Sequence, residues 1–195
     1  MTRSADISRQ TNETDIKLQL GLDGRGEGKR TTGIGFFDHM LDAVARHGAL
    51  DLDVAATGDL ETGSHHTVED VGIVFGQALG EALGDRAGIN RFGQGTVPMD
   101  EARATAVVDV SGRPLCVFEG ELPAGAIEGF DTDLAEEFFR AVAGAAKLTL
   151  HVRIEAGTNA HHMVEAAFKA FARALRTAVE VEPGATDIPS TKGLL

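Results

Sequence analysis

Two adjacent histidines with a glutamate four residues after the first, His65-His66-Thr67-Val68-Glu69-Asp70, return late in the chain as His161-His162-Met163-Val164-Glu165. Imidazole and carboxylate at these spacings are metal-ligand chemistry. On a helix, positions i and i+4 lie on one face, one above the other, so His65 with Glu69, and His161 with Glu165, can each grip an ion. The second histidine of each pair lies about 100° further round the helix and must serve a different ion. Two such helices allow a reciprocal arrangement: His65, Glu69 and His162 on one ion, His161, Glu165 and His66 on the other, with ligands open to supply from different subunits. The donors suit Mn, Fe, Zn or Ni and include no soft thiolate. One His-x-x-x-Glu is what any charged helix face can show; two copies at matching positions of a repeat carry the metal reading.

His39 and Glu137 occupy matching positions of the two halves, and each could bring one ligand set to four. His47 and His151 are weaker candidates, and His151 points away from the apolar face of its strand. An anionic ligand would need donors gathered locally, from Arg91, Arg113, Lys169 and Lys192. Lys169 stands two turns beyond His162, and the tail Ser190-Thr191-Lys192 could form a flap over a phosphate. Glu13, just ahead of the first clear strand, reads either as a general base or as an exposed acid. Cys116, inside Pro114-Leu115-Cys116-Val117-Phe118, reads as a small core residue and not as a catalytic thiol.

The elements that must position these residues follow from periodicity. Residues 1–14 read as a polar lead-in, mobile at its start. Ile16, Leu18 and Leu20 alternate as a strand, Asp23 to Gly26 is a turn, and Lys29 to Gly33 is a weaker return strand. Phe36, Phe37, Met40, Leu41 and Val44 predict a helix ending at Gly48. Leu50, Leu52, Val54 and Ala56 predict a strand, Gly58 to Ser64 a loop, and His65 to Leu83 a long helix. The order then restarts: strands over 104–110, 115–119 and 148–155, with Gly120 to Gly129 a loop, a helix through Leu134, Phe138, Phe139 and Val142, and a long helix from His161 that stops at Pro183. The chain thus reads as α+β, with β-β-α-β-α given twice and helices on mixed sheets. The seam falls near Asn90 to Met99, giving halves 1–92 and 93–195 within one pseudo-twofold unit.

Composition excludes several classes. The chain has 195 residues, 43% hydrophobic, so a sizeable core is available. A net charge of −12 argues against phosphate-backbone binding, and 5% aromatics without Trp or Tyr argue against base-stacking platforms, so no nucleic-acid partner is expected. No apolar run approaches the roughly 18 residues of a membrane helix. A single cysteine forms no intrachain disulfide, and no signal-peptide core opens the chain, which points to the cytoplasm.

With these residues in place, the sequence resembles the imidazoleglycerol-phosphate dehydratases of histidine biosynthesis, in their monofunctional form. The resemblance runs through Arg9-x-Thr11-x-Glu13-Thr14, Phe37-Asp38-His39-Met40-Leu41, Gly58-Asp59, both His-His-x-x-Glu motifs, Pro98-Met99-Asp100-Glu101, Ser111-Gly112-Arg113-Pro114, Phe168-Lys169-Ala170 and Pro189-Ser190-Thr191-Lys192-Gly193. It implies a hydro-lyase converting D-erythro-imidazoleglycerol phosphate to imidazole-acetol phosphate and water. It also implies two Mn2+ per site, with the substrate's imidazolate bound between them. One ion would take His39, His66, His161 and Glu165; the other His65, Glu69, His162 and the position held here by Glu137, where the family has a histidine. Arg91, Arg113, Lys169, Ser190 and Lys192 fall at phosphate-binding positions, and His47 joins them as a candidate substrate contact. Glu13 falls at an acid implicated in proton transfer. The implied fold is a duplicated α+β unit of the ribosomal protein S5 domain 2-like kind, and the implied assembly a homo-oligomer, a 24-mer built from trimers. The alternative reading is a dimetal phosphoester hydrolase, which release of inorganic phosphate would reveal.

Overall fold

The apolar alternation of Ile16, Leu18 and Leu20 builds β2 (Thr14–Gly21), whose inward side chains are fully buried while their neighbours face out. Around it stand β1 (Ser4–Gln10), β3 (Arg30–Thr31), α1 (Gly35–Gly48), β4 (Asp51–Gly58) and α2 (His65–Ala82). The second half supplies β5 (Phe92–Met99), β6 (Ala102–Asp109), β7 (Leu115–Glu119), a short hairpin β8 (Ala126–Ile127) and β9 (Phe130–Asp131), α3 (Leu134–Ala146), β10 (Thr149–Ala156) and α4 (Ala160–Val179). This is a computed structural model, and it describes residues 3–195.

The duplication is written in the topology. One four-stranded sheet has the order β1-β2-β4-β3, the other β5-β6-β10-β7. In each, the first two pairings in that order are antiparallel and the last is parallel, β3 with β4 and β7 with β10. Even the helix ends repeat: Ala49 after α1 and Lys147 after α3 both take left-handed backbone, at φ 52° and 56°. The helices of the two halves meet, α2 along α3 and α1 along α4, and each long helix covers its own sheet. Phe138, Phe139, Phe168 and Phe171 interlock there, with the rings of Phe139 and Phe168 4.8 Å apart.

The repeated β-β-α-β-α order therefore stands, and each half carries one more strand in front of it. Residues 4–10 of the polar lead-in form strand β1; its start at Met1 and Thr2, where mobility is expected, lies outside the described residues. Most of the expected seam, Asn90 to Met99, is strand β5. The reason β5 escapes a periodicity reading is physical. Its inward positions are Gly93 and Gly95, because α4 lies directly on the strand. A Cβ at Gly93 would sit 1.9 Å from the carbonyl oxygen of Ala174, and one at Gly95 2.6 Å from that of Ala170. A strand facing a helix backbone needs hydrogen, not an apolar side chain, on that face.

That contact yields a paired prediction. Gly93→Ala forces strand and helix apart and should cost about 3 kcal/mol, lowering Tm by about 6–12 °C. Gly144→Ala, in α3 with nothing within 4 Å, should gain up to about 1 kcal/mol from helix propensity. Differential scanning calorimetry reads both, and equal effects would refute the close-approach account.

Candidate active site

His39 sits in the first turns of α1, whose start is held by Asp38: its Oδ1 accepts the Thr32 amide at 2.8 Å and the Thr32 hydroxyl at 2.7 Å. His161 and Glu165 sit in the first turns of α4, capped by Asn159, whose side-chain oxygen accepts the His161 amide at 2.9 Å. Phe36 meets the His161 ring edge-on, centroids 4.8 Å apart, and so limits its rotation. Because α1 packs along α4, these three residues converge. Glu165 Oε2 lies 3.5 Å from His39 Nε2 and 3.3 Å from His161 Nε2, while Oε1 accepts from Lys169 Nζ at 2.5 Å. Among the described residues, His39, His161 and Glu165 are the one group of three whose ligand atoms all lie within 4.8 Å of each other.

Glu165 is buried, at 5% exposure. Burial pushes its carboxyl up, but the Lys169 hydrogen bond and charge, with His39, outweigh this and hold it below the usual carboxylate range. It is thus an ionised carboxylate facing two imidazole nitrogens, a donor set fit for a divalent cation. His47 stands near the same group: burial and the charges of Lys169 and Arg173 press its imidazole toward neutrality.

The second set is more open. His65 Nε2 and Glu69 Oε2 lie 3.8 Å apart across one turn of α2, both exposed. The ring centroids of the adjacent histidines lie 6.2 Å apart for His65 and His66 and 5.9 Å apart for His161 and His162, with the ring planes near perpendicular. Among the described residues, neither second histidine joins a ligand cluster. His66 turns Nδ1 to Asp59, 3.0 Å away, with Glu13 Oε2 at 4.0 Å. His162 turns Nδ1 to Glu101 at 2.7 Å. Both carboxylates raise their histidine's pKa, and the hydrogen bond from His162 holds the Glu101 carboxyl far below the usual range. Each contact leaves Nε2 as the other ring nitrogen, that of His162 lying 3.7 Å from Asp100 Oδ2. Glu137 lies in the first turns of α3, half-buried, outside the cluster.

The anion candidates divide. Lys169 is with Glu165. Arg91 and Arg113 share Asp109: Arg91 Nε donates to it at 2.7 Å and Arg113 Nη2 lies 3.6 Å away. Arg91 Nη1 also donates to the Pro189 carbonyl at 2.9 Å, which brings the tail turn of Ser190 and Lys192 to the same end of the molecule. His151 faces out from the second sheet, paired with Val107 and Val117 and away from the cluster. Cys116 is half-buried, its thiol pushed up to about 11 by desolvation, which makes it a poor nucleophile.

Sequence reasoning gave no role to Asp59, Glu101 or Asp109, although the first two lie in motifs it quoted. Their function rests on which side chain they meet. The available signal was the repeat: Glu13 and Glu101 occupy the same position of their hairpins, each two residues before a paired residue, Asp15 with Gln10 and Arg103 with Pro98.

Fold and site together define a duplicated α+β protein that gathers histidines and a buried carboxylate from helices of both halves, a donor set that could hold a cation. The family model described as imidazoleglycerol-phosphate dehydratase matches residues 32–175. The relative from Granulibacter bethesdensis is 57% identical over all of both chains, and that from Jannaschia sp. 54% identical over 99% of this chain and all of its own. Both are imidazoleglycerol-phosphate dehydratases. The crystal structure of that enzyme from Staphylococcus aureus is 40% identical and superposes with a TM-score of 0.83 over 92% of this chain and 99% of its own. The Pyrococcus furiosus structure, in complex with (S)-C348, is 38% identical with a TM-score of 0.84 over 97% and 100%. The chain belongs to the imidazoleglycerol-phosphate dehydratase family. Its activity is that of a hydro-lyase of histidine biosynthesis acting on a small phosphorylated substrate. Among the described residues, no helix is long and apolar enough to cross a membrane.

Proposed function

We propose that the chain dehydrates D-erythro-imidazoleglycerol phosphate to imidazole-acetol phosphate with two Mn2+ per active site. One ligand set is His39, His66, His161 and Glu165; the other is His65, Glu69 and His162, with Glu137 a further carboxylate available to it. The observation that carries this reading is the convergence of His39, His161 and Glu165 within 4.8 Å. Bound there, the cations would stabilise a deprotonated substrate ring, whose electrons would assist departure of the hydroxyl on the carbon beside it.

The chain's own residues do the rest. Glu13 is the base that takes the proton from the second carbon from the ring, which no carbonyl acidifies. The hydroxyl on the carbon next to the ring leaves as water after protonation, and the enol left behind, with its hydroxyl on the second carbon, tautomerises to the ketone. Arg91, Arg113, Lys169, Ser190 and Lys192 hold the phosphate, with His47 beside them, and fix the distance between phosphate and ring.

A homo-oligomer follows from the same geometry. Glu101 and His162 lie at one end of β6 and Asp109, with Arg91 and Arg113, at the other. Seven residue steps of strand span about 23 Å, far more than a three-carbon chain between a ring and a phosphate. On this reading the phosphate end of one copy serves the metal end of another, and His66 and His162 complete ligand sets on neighbouring copies. The 24-mer of trimers that the family resemblance implies is the assembly we propose, in the cytoplasm.

Plasma mass spectrometry of the purified protein tests this: two Mn per chain are expected, with turnover lost on chelation and restored by Mn2+. One ion or none in active protein would overturn it. Glu101→Ala should weaken Mn2+ binding at the His162 set about 10–100-fold, since an orienting carboxylate is worth that much to a ligating histidine. Competitive titration with a fluorescent chelator reads the change, and unaltered affinity would remove Glu101 from that role.

A further inference from the structure

A polar network under the β1–β2 turn serves neither ligand set. Asp70, on α2 one helical turn after His66, is 7% exposed. It forms an ion pair with Arg9 of β1 and accepts the hydroxyl of Thr14, itself 4% exposed, at 2.5 Å. Thr14 Oγ1 in turn lies 3.2 Å from Thr11 Oγ1, which accepts the amides of Glu13 at 3.1 Å and Thr14 at 3.0 Å. With Thr14 donating to Asp70, the donors run one way: Glu13 amide to Thr11 hydroxyl, Thr11 to Thr14, Thr14 to Asp70. The turn that carries Glu13 is thus tied to the helix that carries His66. A second tie runs from the Asp59 amide to the Glu13 carbonyl, 3.1 Å.

The other half supplies an internal control. The β1–β2 hairpin and the β5–β6 hairpin share one register, so residue n of the first matches residue n + 88 of the second; Gln10 pairs with Asp15 as Pro98 pairs with Arg103. Glu13 matches Glu101, and Arg9, Thr11 and Thr14 match Val97, Met99 and Ala102. As His66 matches His162, Asp70 matches Ala166. Every member of the polar network is apolar in the second half, where Val97 and Met99 pack on the core and Ala102 and Ala166 are buried. The same fold therefore closes at this place without any buried charge. The glutamates differ too. Glu101 is tied by its carboxylate, to His162 and to the amides of Thr158 and Asn159. Glu13 is tied by its backbone, and among the described residues its carboxylate makes no hydrogen bond, Oε2 lying 4.0 Å from His66 Nδ1.

We propose that Arg9, Thr14 and Asp70 are positioning residues for the dehydration, anchoring the Glu13 turn by its backbone so that the Glu13 carboxylate is held beside His66 yet unbound. A proton carrier needs fixed placement and a free carboxylate together, and a tether through the main chain supplies both. This rests on the assignment of Glu13 as the base.

The test replaces the network with the second half's own solution, Arg9→Val/Thr14→Ala/Asp70→Ala. Removing both charges together leaves neither orphaned, so folding survives. The expected result is unchanged Tm and Mn content, KM within about twofold, and kcat lowered about 100-fold, the scale of a misplacement near 1 Å. Should the triple variant not fold, Thr14→Val and Thr14→Ser carry the test alone: the first lowers kcat about tenfold, and the second, which keeps the hydroxyl, restores it. Wild-type kcat in these variants, alongside an inactive Glu13→Gln, would overturn the proposal and leave the base assignment standing. Loss of Mn in step with kcat would also overturn it, because the network would then be holding α2's ligands. A fully active Glu13→Gln would instead remove the base assignment, and the proposal with it.

Discussion

Glu13→Gln is expected to lower kcat about 1,000-fold, within the range that general acid–base groups contribute, while Tm and Mn content stay at wild-type values. Glutamine keeps the length and shape of glutamate but cannot accept the proton. Glu13 is an exposed side chain, 54% accessible, whose carboxylate makes only a 4.0 Å approach to His66, so its removal takes nothing from the core. Asp59 already occupies the same ring nitrogen at 3.0 Å, which keeps His66 oriented in the variant. The readout is steady-state turnover of imidazoleglycerol phosphate beside metal analysis. Activity within tenfold of wild type would assign the proton to another group. Loss of Mn would turn Glu13 into a support for His66 and not a base.

Glu165→Gln should be costly in two ways at once. Glu165 is the shared point of the gathered cluster, with one oxygen toward His39 and His161 and the other on Lys169. Without its charge, one Mn2+ per chain should be lost and kcat should fall about 1,000-fold, equivalent to about 4 kcal/mol of transition-state stabilisation. The fold should also weaken, since the Lys169 ammonium, 19% exposed, loses its counter-charge. A cost of about 2–4 kcal/mol is expected in metal-free protein. Plasma mass spectrometry, turnover and calorimetry separate these effects. A variant that keeps both ions would show that Glu165 serves Lys169 alone.

Much of the site was legible because it sits on helices. The pairing of His65 with Glu69 and of His161 with Glu165, and the divergence of each second histidine, follow from 3.6 residues per turn whatever the helix packs against. His66 and His162 turn instead to Asp59 and Glu101, at 3.0 Å and 2.7 Å. The entry of His39 into the His161–Glu165 group followed from the repeat and the family resemblance, not from local spacing, and the packing of α1 on α4 brings it about. Strands were harder to read. β2 and β4 alternate because one face meets the core and the other does not. β5 has glycine where that face meets a helix backbone, and the pattern vanishes.

The sequence by itself determined the α+β class, the duplication, the two His-His-x-x-Glu helices and the family resemblance, because each is a property of local period or of residue order. Only the tertiary structure decided which carboxylate each histidine faces: Glu165 for His39 and His161, Asp59 for His66, Glu101 for His162. Only it showed Arg9, Thr14 and Asp70, 61 residues apart in the chain from first to last, meeting beneath Glu13. The physical reason is the range of the interactions. Helical periodicity acts over three or four residues, whereas a buried ion pair is set by how one strand lies on one helix, and that depends on every side chain between them.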